Sequence, residues 1–328
     1  MRVFVAGATG VLGQQLLPLL AAHGHQVVGM ARHASAEVRS SPNVELVTAD
    51  ALDPSAVASA VRRAAPDGIV NLLTAIPTEL NTRRMAKEFQ LTNRLRTEGT
   101  RSLLAAAAAN GVQRVLGEGL AYAYDPGGSG PADEDQPLWR DPPREFAPVL
   151  KALIELEQQT REAGGLVLRV GHLYGPGTIY APNGYFVRQV KARAVPLIHR
   201  SSATFSFTHV EDAATAMLAA LDLDVSGVLN VVDDTPASIA DWLPGLAALL
   251  DAPPPRHLPR PLVRLAIGGW GLAVLSRLRG ADNARARRIL NWQPRYPSWR
   301  QGFEHDFPRH AAAAAEEISA HPGTRHDH

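Results

Sequence analysis

The sequence predicts an α/β fold: a doubly wound parallel sheet with a smaller C-terminal lobe. Three observations predict it. The chain opens on a short apolar run, Met1–Ala6, then glycines at 7, 10 and 13, then an apolar helical pattern to Ala22. Short apolar runs alternate with longer helical stretches through the first half, which argues a parallel sheet covered on both faces. A chain of 328 residues is long enough to bury a large core and still add a lobe.

The first strand is Met1–Ala6. Gly7 takes the tight turn after it, Gly10 lets backbone N–H groups approach a pyrophosphate, and Gly13 lets the helix lie close to the strand. The helix N-terminus faces the phosphates with its partial positive charge. Strand, glycine turn and helix together are the Rossmann dinucleotide fingerprint, so Gly7, Thr9, Gly10, Val11, Leu12 and Gly13 are expected to line the cofactor. Further buried strands are expected at Gln26–Met30, Val44–Val47, Gly68–Leu73, Arg114–Gly117 and Leu166–Val170. The helices between are Val11–Ala22, Pro54–Ala64, Glu88–Asn110 and Pro148–Ala163. Ligands of such a sheet sit outside the carboxyl ends of its strands.

After Val170 the pattern loosens. Residues 1–170 form the expected dinucleotide-binding domain, completed by about 206–233, where a helix (Val210–Leu221) and a returning strand (Gly227–Val232) are predicted. Residues 171–205 and 234–308 form the expected substrate lobe, and 309–328 a disordered tail carrying His321, His326 and His328. Leu262–Leu278 is apolar, but it is short, glycine-containing and flanked by Arg264 and Arg277. It reads as a buried helix rather than a membrane span.

Composition excludes several classes. A formal net charge of +1 gives no field for nucleic acid or a membrane surface. Cysteine is absent, which removes disulfides, thiolate metal sites and a thiol nucleophile, and fits a cytoplasmic location. No defensible metal-ligand spacing appears. The N-terminal apolar run is too short for a signal peptide. Only Lys87, Lys151 and Lys191 are lysines, so the place of each matters.

Several separated motifs then agree in order. They are Gly7-Ala-Thr-Gly-Val-Leu-Gly13, Asp50-Ala-Leu-Asp53, Asn93 with Glu98-Gly-Thr100, Leu168–Gly177, His209-Val-Glu-Asp212, and Asn283 to Pro294. In these the chain resembles the extended or atypical short-chain dehydrogenase/reductases of the NAD-dependent epimerase/dehydratase type, from Met1 to about Phe303. The resemblance implies that Asp50 and Ala51 contact the adenine, and that Asn93 belongs to the helix behind the cofactor. Leu73, Thr74 and Ala75 should lie along the ribose and pyrophosphate. His172 should reach the carboxamide with its backbone, and His209 and Asp212 should bond backbone. It also implies a homodimer through the helices Glu88–Asn110 and Pro148–Ala163.

The second strand ends Gly29-Met-Ala-Arg32-His33, with no carboxylate to bond a ribose 2′-OH. Arg32 can fork onto a 2′-phosphate and stack on adenine, so NADP(H) is expected over NAD(H), with His33 beside it.

The resemblance breaks at the chemistry. The family uses a Ser or Thr, a Tyr and a Lys: the phenol is the acid or base at the substrate oxygen, and the lysine lowers its pKa. Lys151 falls on the lysine position. Four residues before it, where tyrosine belongs, stands Ala147, and the hydroxyl position is Leu120. The Ser-Tyr-Lys site is therefore degenerate. Glu118, Tyr122, Tyr124, His172 and Tyr174 are the replacement proton donors to weigh. Leu120, Ala147, Tyr174, Tyr180, Tyr185 and Phe186 are expected to wall a pocket for a small molecule. Three functions compete: an NADP(H)-dependent oxidoreductase on a carbonyl or hydroxyl metabolite with a non-standard proton donor, a biosynthetic enzyme without net redox (cyclase, lyase, isomerase or epimerase), and a non-enzymatic NADP(H) sensor.

Overall fold

The computed structural model describes residues 1–33, 43–199 and 201–307. In chain order the elements begin with β1 (Arg2–Ala6), α1 (Val11–Ala22), β2 (Gln26–Ala31), β3 (Val44–Thr48), α2 (Pro54–Ala64) and β4 (Gly68–Asn71). Then come α3 (Met85–Glu88), α4 (Gln90–Arg94), α5 (Thr100–Ala109), β5 (Arg114–Leu120), α6 (Ala147–Glu162) and β6 (Leu166–Val170). The next stretch holds β7 (His172–Tyr174), α7 (Tyr185–Lys191), β8 (Leu197–Ile198), β9 (Thr204–Phe205), β10 (Phe207–His209), α8 (Val210–Leu221) and β11 (Gly227–Val231). The chain ends with β12 (Ala237–Ser238), α9 (Ile239–Leu249), β13 (His257–Leu258), α10 (Arg260–Arg277), α11 (Ala284–Leu290) and α12 (Trp299–Asp306).

Seven strands form one parallel sheet in the order β11-β6-β5-β4-β1-β2-β3. Both faces are covered, as the unbroken apolar strands predict. Val3, Val5 and Val27 meet Leu16, Leu17 and Leu20 of α1 and Met217 and Leu221 of α8. Phe4, Val28 and Ile69 meet Val57 and Val61 of α2 and Leu103 and Ala107 of α5. Burial of each such large side chain contributes about 1.5–3 kcal/mol. The order reverses between β1 and β4, which opens a crevice at their carboxyl ends.

The fifth strand runs three residues further than expected, to Leu120, and three other features depart from expectation. The fourth strand ends at Asn71 rather than Leu73, because Asn71 Oδ1 accepts from Leu73 N at 3.2 Å and turns the chain out of the ladder. The helix expected at Glu88–Asn110 is interrupted by a π turn, Leu95–Gly99, between α4 and α5. Gly99 has no side chain there, and Leu73 Cδ1 stands 3.1 Å from the position a Cβ would take. The third departure is a correction: α10 is not a uniformly buried helix. Gly268 breaks it at φ 77°, and before the break Leu262 and Leu265 are 54% and 72% exposed, whereas Trp270, Ala273 and Leu275 after it are buried. Among the described residues no helix is long and apolar enough to cross a membrane. The expected tail, 309–328, lies outside the described residues.

Candidate functional site

The site begins at the turn after β1. Gly7 adopts φ +92°, and a Cβ there would run into the Leu72 carbonyl of the loop after β4. Gly13 is equally constrained, since its Cβ would strike the Gly7 and Ala8 carbonyls. A larger residue at either position would close the gap between turn and helix. The N–H groups of the first turn, Val11, Leu12 and Gly13, have no carbonyl beneath them inside α1 and point out of its end. Space free of side chains, open donors and a helix dipole fit a diphosphate.

The other expected cofactor residues line the same rim. Arg32 and His33 follow β2 and are exposed. Asp50 follows β3, exposed, with Oδ1 accepting from Leu52 N at 2.9 Å. Ala51 and Leu73 are drawn together over Gly99. Ala75 N donates to Thr92 Oγ1 at 3.1 Å, which ties the loop after β4 to α4. Asn93 lies on α4 with Oδ1 buried and unpartnered. Across the crevice, Gly177 brings the loop after β7 against Val11, with Val11 Cγ2 at 3.6 Å from the position of a Cβ.

The chemistry should occur where β5 ends. Leu120 is buried at its terminus and Ala147 opens α6, both apolar and without a proton. Phe146 does not stand in for a tyrosine: its ring is stacked on Trp270 at 3.8 Å, inside the core. Lys151 is exposed, one turn after Ala147 on α6.

The candidate donors separate clearly. Tyr124 donates to Asn230 Oδ1 at 2.7 Å and accepts from Arg169 Nη1 at 2.8 Å. Arg169 in turn holds Glu157 of α6 by two bonds, 2.8 and 2.6 Å. This buried network staples α6 to β6 and β11, and burial pushes the Tyr124 phenol up to about 12. Tyr174 is fully buried among Phe207, His209 and Phe303, its hydroxyl unpartnered and pushed well above the phenol range by burial. It forms core rather than pocket wall. Tyr122 and His172 follow the carboxyl ends of β5 and β6: both are surrounded by protein yet partly reached by solvent. Burial pushes Tyr122 up to about 12 and His172 down to about 3. Neither is tuned to give or take a proton near neutrality. Glu118 lies within β5; burial pushes it up to about 6, against the pull of the Arg96 guanidinium.

Of the lobe aromatics, Tyr180 is buried beside Phe186 and Trp242 and close enough to Tyr122 to feel its charge. Tyr185 is half-buried under the Arg188 guanidinium. His209 Nδ1 accepts from Glu211 N at 3.2 Å, and Asp212 accepts from the backbone of Arg295 and Tyr296 at 2.6 and 3.1 Å, so both hold backbone. Arg96, absent from the expectations, stands beside Glu118 and Tyr122. In the sequence it stands four residues from Thr92 and from Thr100, on one helix face, between Arg94 and Arg101.

A model of the NAD dependent epimerase/dehydratase family matches residues 3–231. A 3-diazoavenalumate denitrifying reductase from a Streptomyces species is 45% identical over 306 residues, covering 92% of this chain and 99% of the relative. The epimerase family protein SDR39U1 of Bos taurus is 29% identical, covering 97% of this chain and 100% of its own. Among solved structures, a double mutant of DesIV, a dTDP-glucose 4,6-dehydratase from Streptomyces venezuelae with NAD and DAU bound, superposes with a TM-score of 0.75. It is 19% identical and covers 94% of this chain and 96% of its own, a likeness of fold.

Proposed function

The chain belongs to the NAD-dependent epimerase/dehydratase family, and on that premise we propose that it is an NADPH-dependent reductase whose substrate takes a hydride without a proton from the protein. The observation that carries this is the apolar pair Leu120 and Ala147 where the family has its hydroxyl and phenol. Carbonyl reduction needs a proton at oxygen. Tyr124 and Tyr174 are committed to the core, and burial weakens Tyr122 as an acid and keeps His172 neutral. Glu118 is the donor left to weigh, as the second reading below does. An arenediazonium needs none. With a hydride it forms an aryl diazene; the N–H proton then passes to the ring carbon as the C–N bond breaks, giving arene and dinitrogen. The denitrifying relative's name supports an acceptor of that class.

Bound NADPH supplies the hydride. Gly7, Gly10 and the first turn of α1 hold the diphosphate, and Arg32 forks onto the 2′-phosphate. Asp50 and Ala51 take the adenine, Leu73 to Ala75 flank the ribose, and Lys151 anchors the nicotinamide ribose from α6. Leu120 and Ala147 keep the reacting end dry. This dryness protects a diazonium from attack by water. A homodimer through α5 and α6 fits the exposed Ile154 beside the Arg101–Glu155 ion pair.

The test is a stopped reaction of NADPH with a carboxylated arenediazonium. NADPH loss matched one-to-one by dinitrogen and arene supports the reading; no oxidation across a panel of diazonium acids overturns it. Arg32→Ala should narrow the preference for NADPH over NADH about tenfold. A second reading rests on Glu118, whose pKa of about 6 suits proton transfer without net redox. It requires product formed with no NADPH consumed.

A further inference from the structure

One buried charge lies outside the residues assigned to the cofactor. Arg96 lies in the π turn Leu95–Gly99, on the helix face that also carries Thr92 and Thr100. Thr92 Oγ1 accepts from Ala75 N, and Thr100 Oγ1 accepts from Asn71 Nδ2 at 2.9 Å. These two bonds press that face against the carboxyl end of β4. Arg96 is 3% exposed, and its Nη1 is buried without a partner. Among the described residues its guanidinium makes no hydrogen bond and no ion pair. Glu118 and Tyr122 are the ionisable groups near it, and both act on it through space rather than through a hydrogen bond. A buried cation left without a hydrogen-bonded partner is costly to the folded chain, so an apolar residue of similar volume would serve better if the position were only structural. Of the three, Arg96 is buried, while Glu118 and Tyr122 are partly reached by solvent.

Tyr122 and His172 are stacked, and His172 leans on Phe205 at 4.5 Å. Tyr122 thus presents aromatic surface close to the Arg96 guanidinium.

We infer that Arg96 binds an anionic oxygen of an aromatic substrate whose ring lies against the Tyr122–His172 pair. The aromatic acceptor rests on the reductase reading above; the unpaired guanidinium does not. The oxygen is a ring phenolate or a side-chain carboxylate. A guanidinium neutralises either by two parallel N–H···O bonds and transfers no proton. Arg96 thus orients the substrate in a site from which the usual hydroxyl and phenol are missing.

The experiment reads binding, not turnover. Calorimetry on NADP⁺-loaded protein uses three unreactive probes: 4-hydroxycinnamate, cinnamate and 4-vinylphenol. The wild type should bind at least the first. Loss of affinity on moving to 4-vinylphenol assigns the oxygen to a carboxylate, and loss on moving to cinnamate assigns it to a phenol. Arg96→Ala should weaken the preferred probe by about tenfold or more, with methylguanidinium restoring part of it and NADP⁺ affinity unchanged. Glu118→Gln, which removes the competing carboxylate, should tighten it a few-fold and stands as the deciding variant if Arg96→Ala does not fold. The inference is overturned if no probe binds, if Arg96→Ala folds and binds as the wild type does, if it loses NADP⁺ equally, or if Glu118→Gln fails to tighten the probe. Failure of diazonium reduction with these binding results intact would sink the reductase reading alone.

Discussion

Tyr122 and His172 stack face to face, ring centroids 4.6 Å apart and planes 4° from parallel. One closes the segment after β5 and the other opens β7, so the contact joins the sheet to the lobe. The imidazole Nε2 is buried beside it without a partner.

That burial has a pH signature. His172 has its pKa depressed from 6.5 to about 3, so the unfolded chain takes up a proton that the folded chain refuses. Its contribution to stability is therefore full above pH 6.5 and is lost as pH falls from there toward 3. Glu118 acts in the opposite sense: raised from 4.5 to about 6, it favours the folded state at low pH and loses that as pH rises through 6. We expect His172→Phe to flatten the fall in melting temperature below pH 6.5, and Glu118→Gln to steepen it between 4.5 and 6. Thermal melts across that range decide; a wild-type profile in both variants would contradict the assignment.

Gly7→Ala should weaken cofactor binding. The new methyl meets the Leu72 carbonyl at a positive φ that alanine rarely adopts. We expect affinity for NADPH to fall at least about tenfold, with a stability loss of about 1–3 kcal/mol. Titration calorimetry and a melt read the two effects separately.

Lys151→Ala separates binding from folding. The side chain is exposed on α6, so its removal should change stability by less than about 0.5 kcal/mol. If it anchors the nicotinamide ribose, kcat/KM for NADPH should drop about tenfold or more. Steady-state kinetics that match the wild type would remove Lys151 from the site.

Gly302→Ala tests the lobe core. A Cβ on α12 would collide with the Tyr174 hydroxyl, which is itself fully buried. The expected cost is about 1–3 kcal/mol, from displacing an aromatic packed on Phe207 and Phe303. Tyr174→Phe should cost less than about 1 kcal/mol, because the hydroxyl it removes has no partner. Denaturant melts of the two variants should rank in that order.

The opening of the chain was legible because the information is local. Strand, turn and helix are contiguous, and Gly7 and Gly13 are required by carbonyls only a few residues away or in the adjoining strand loop. Alternation of apolar runs along β1 to β6 reports burial on both faces, so the sheet and its carboxyl-end crevice followed. That Leu120 and Ala147 carry no hydroxyl or phenol is likewise visible in the letters alone.

Partner choice was not legible. Tyr124 read as a possible donor, yet its proton goes to Asn230, 106 residues on, and its oxygen to Arg169. Tyr174 read as pocket wall and is core. Arg96 looked like one arginine among many, and only the fold leaves it buried with nothing to bind. A side chain's type is written in the chain, but its desolvation and its hydrogen-bond partners are set by segments far along it. Those two quantities decide whether an ionisable group staples the structure or faces a substrate, and the packed tertiary structure alone assigns them.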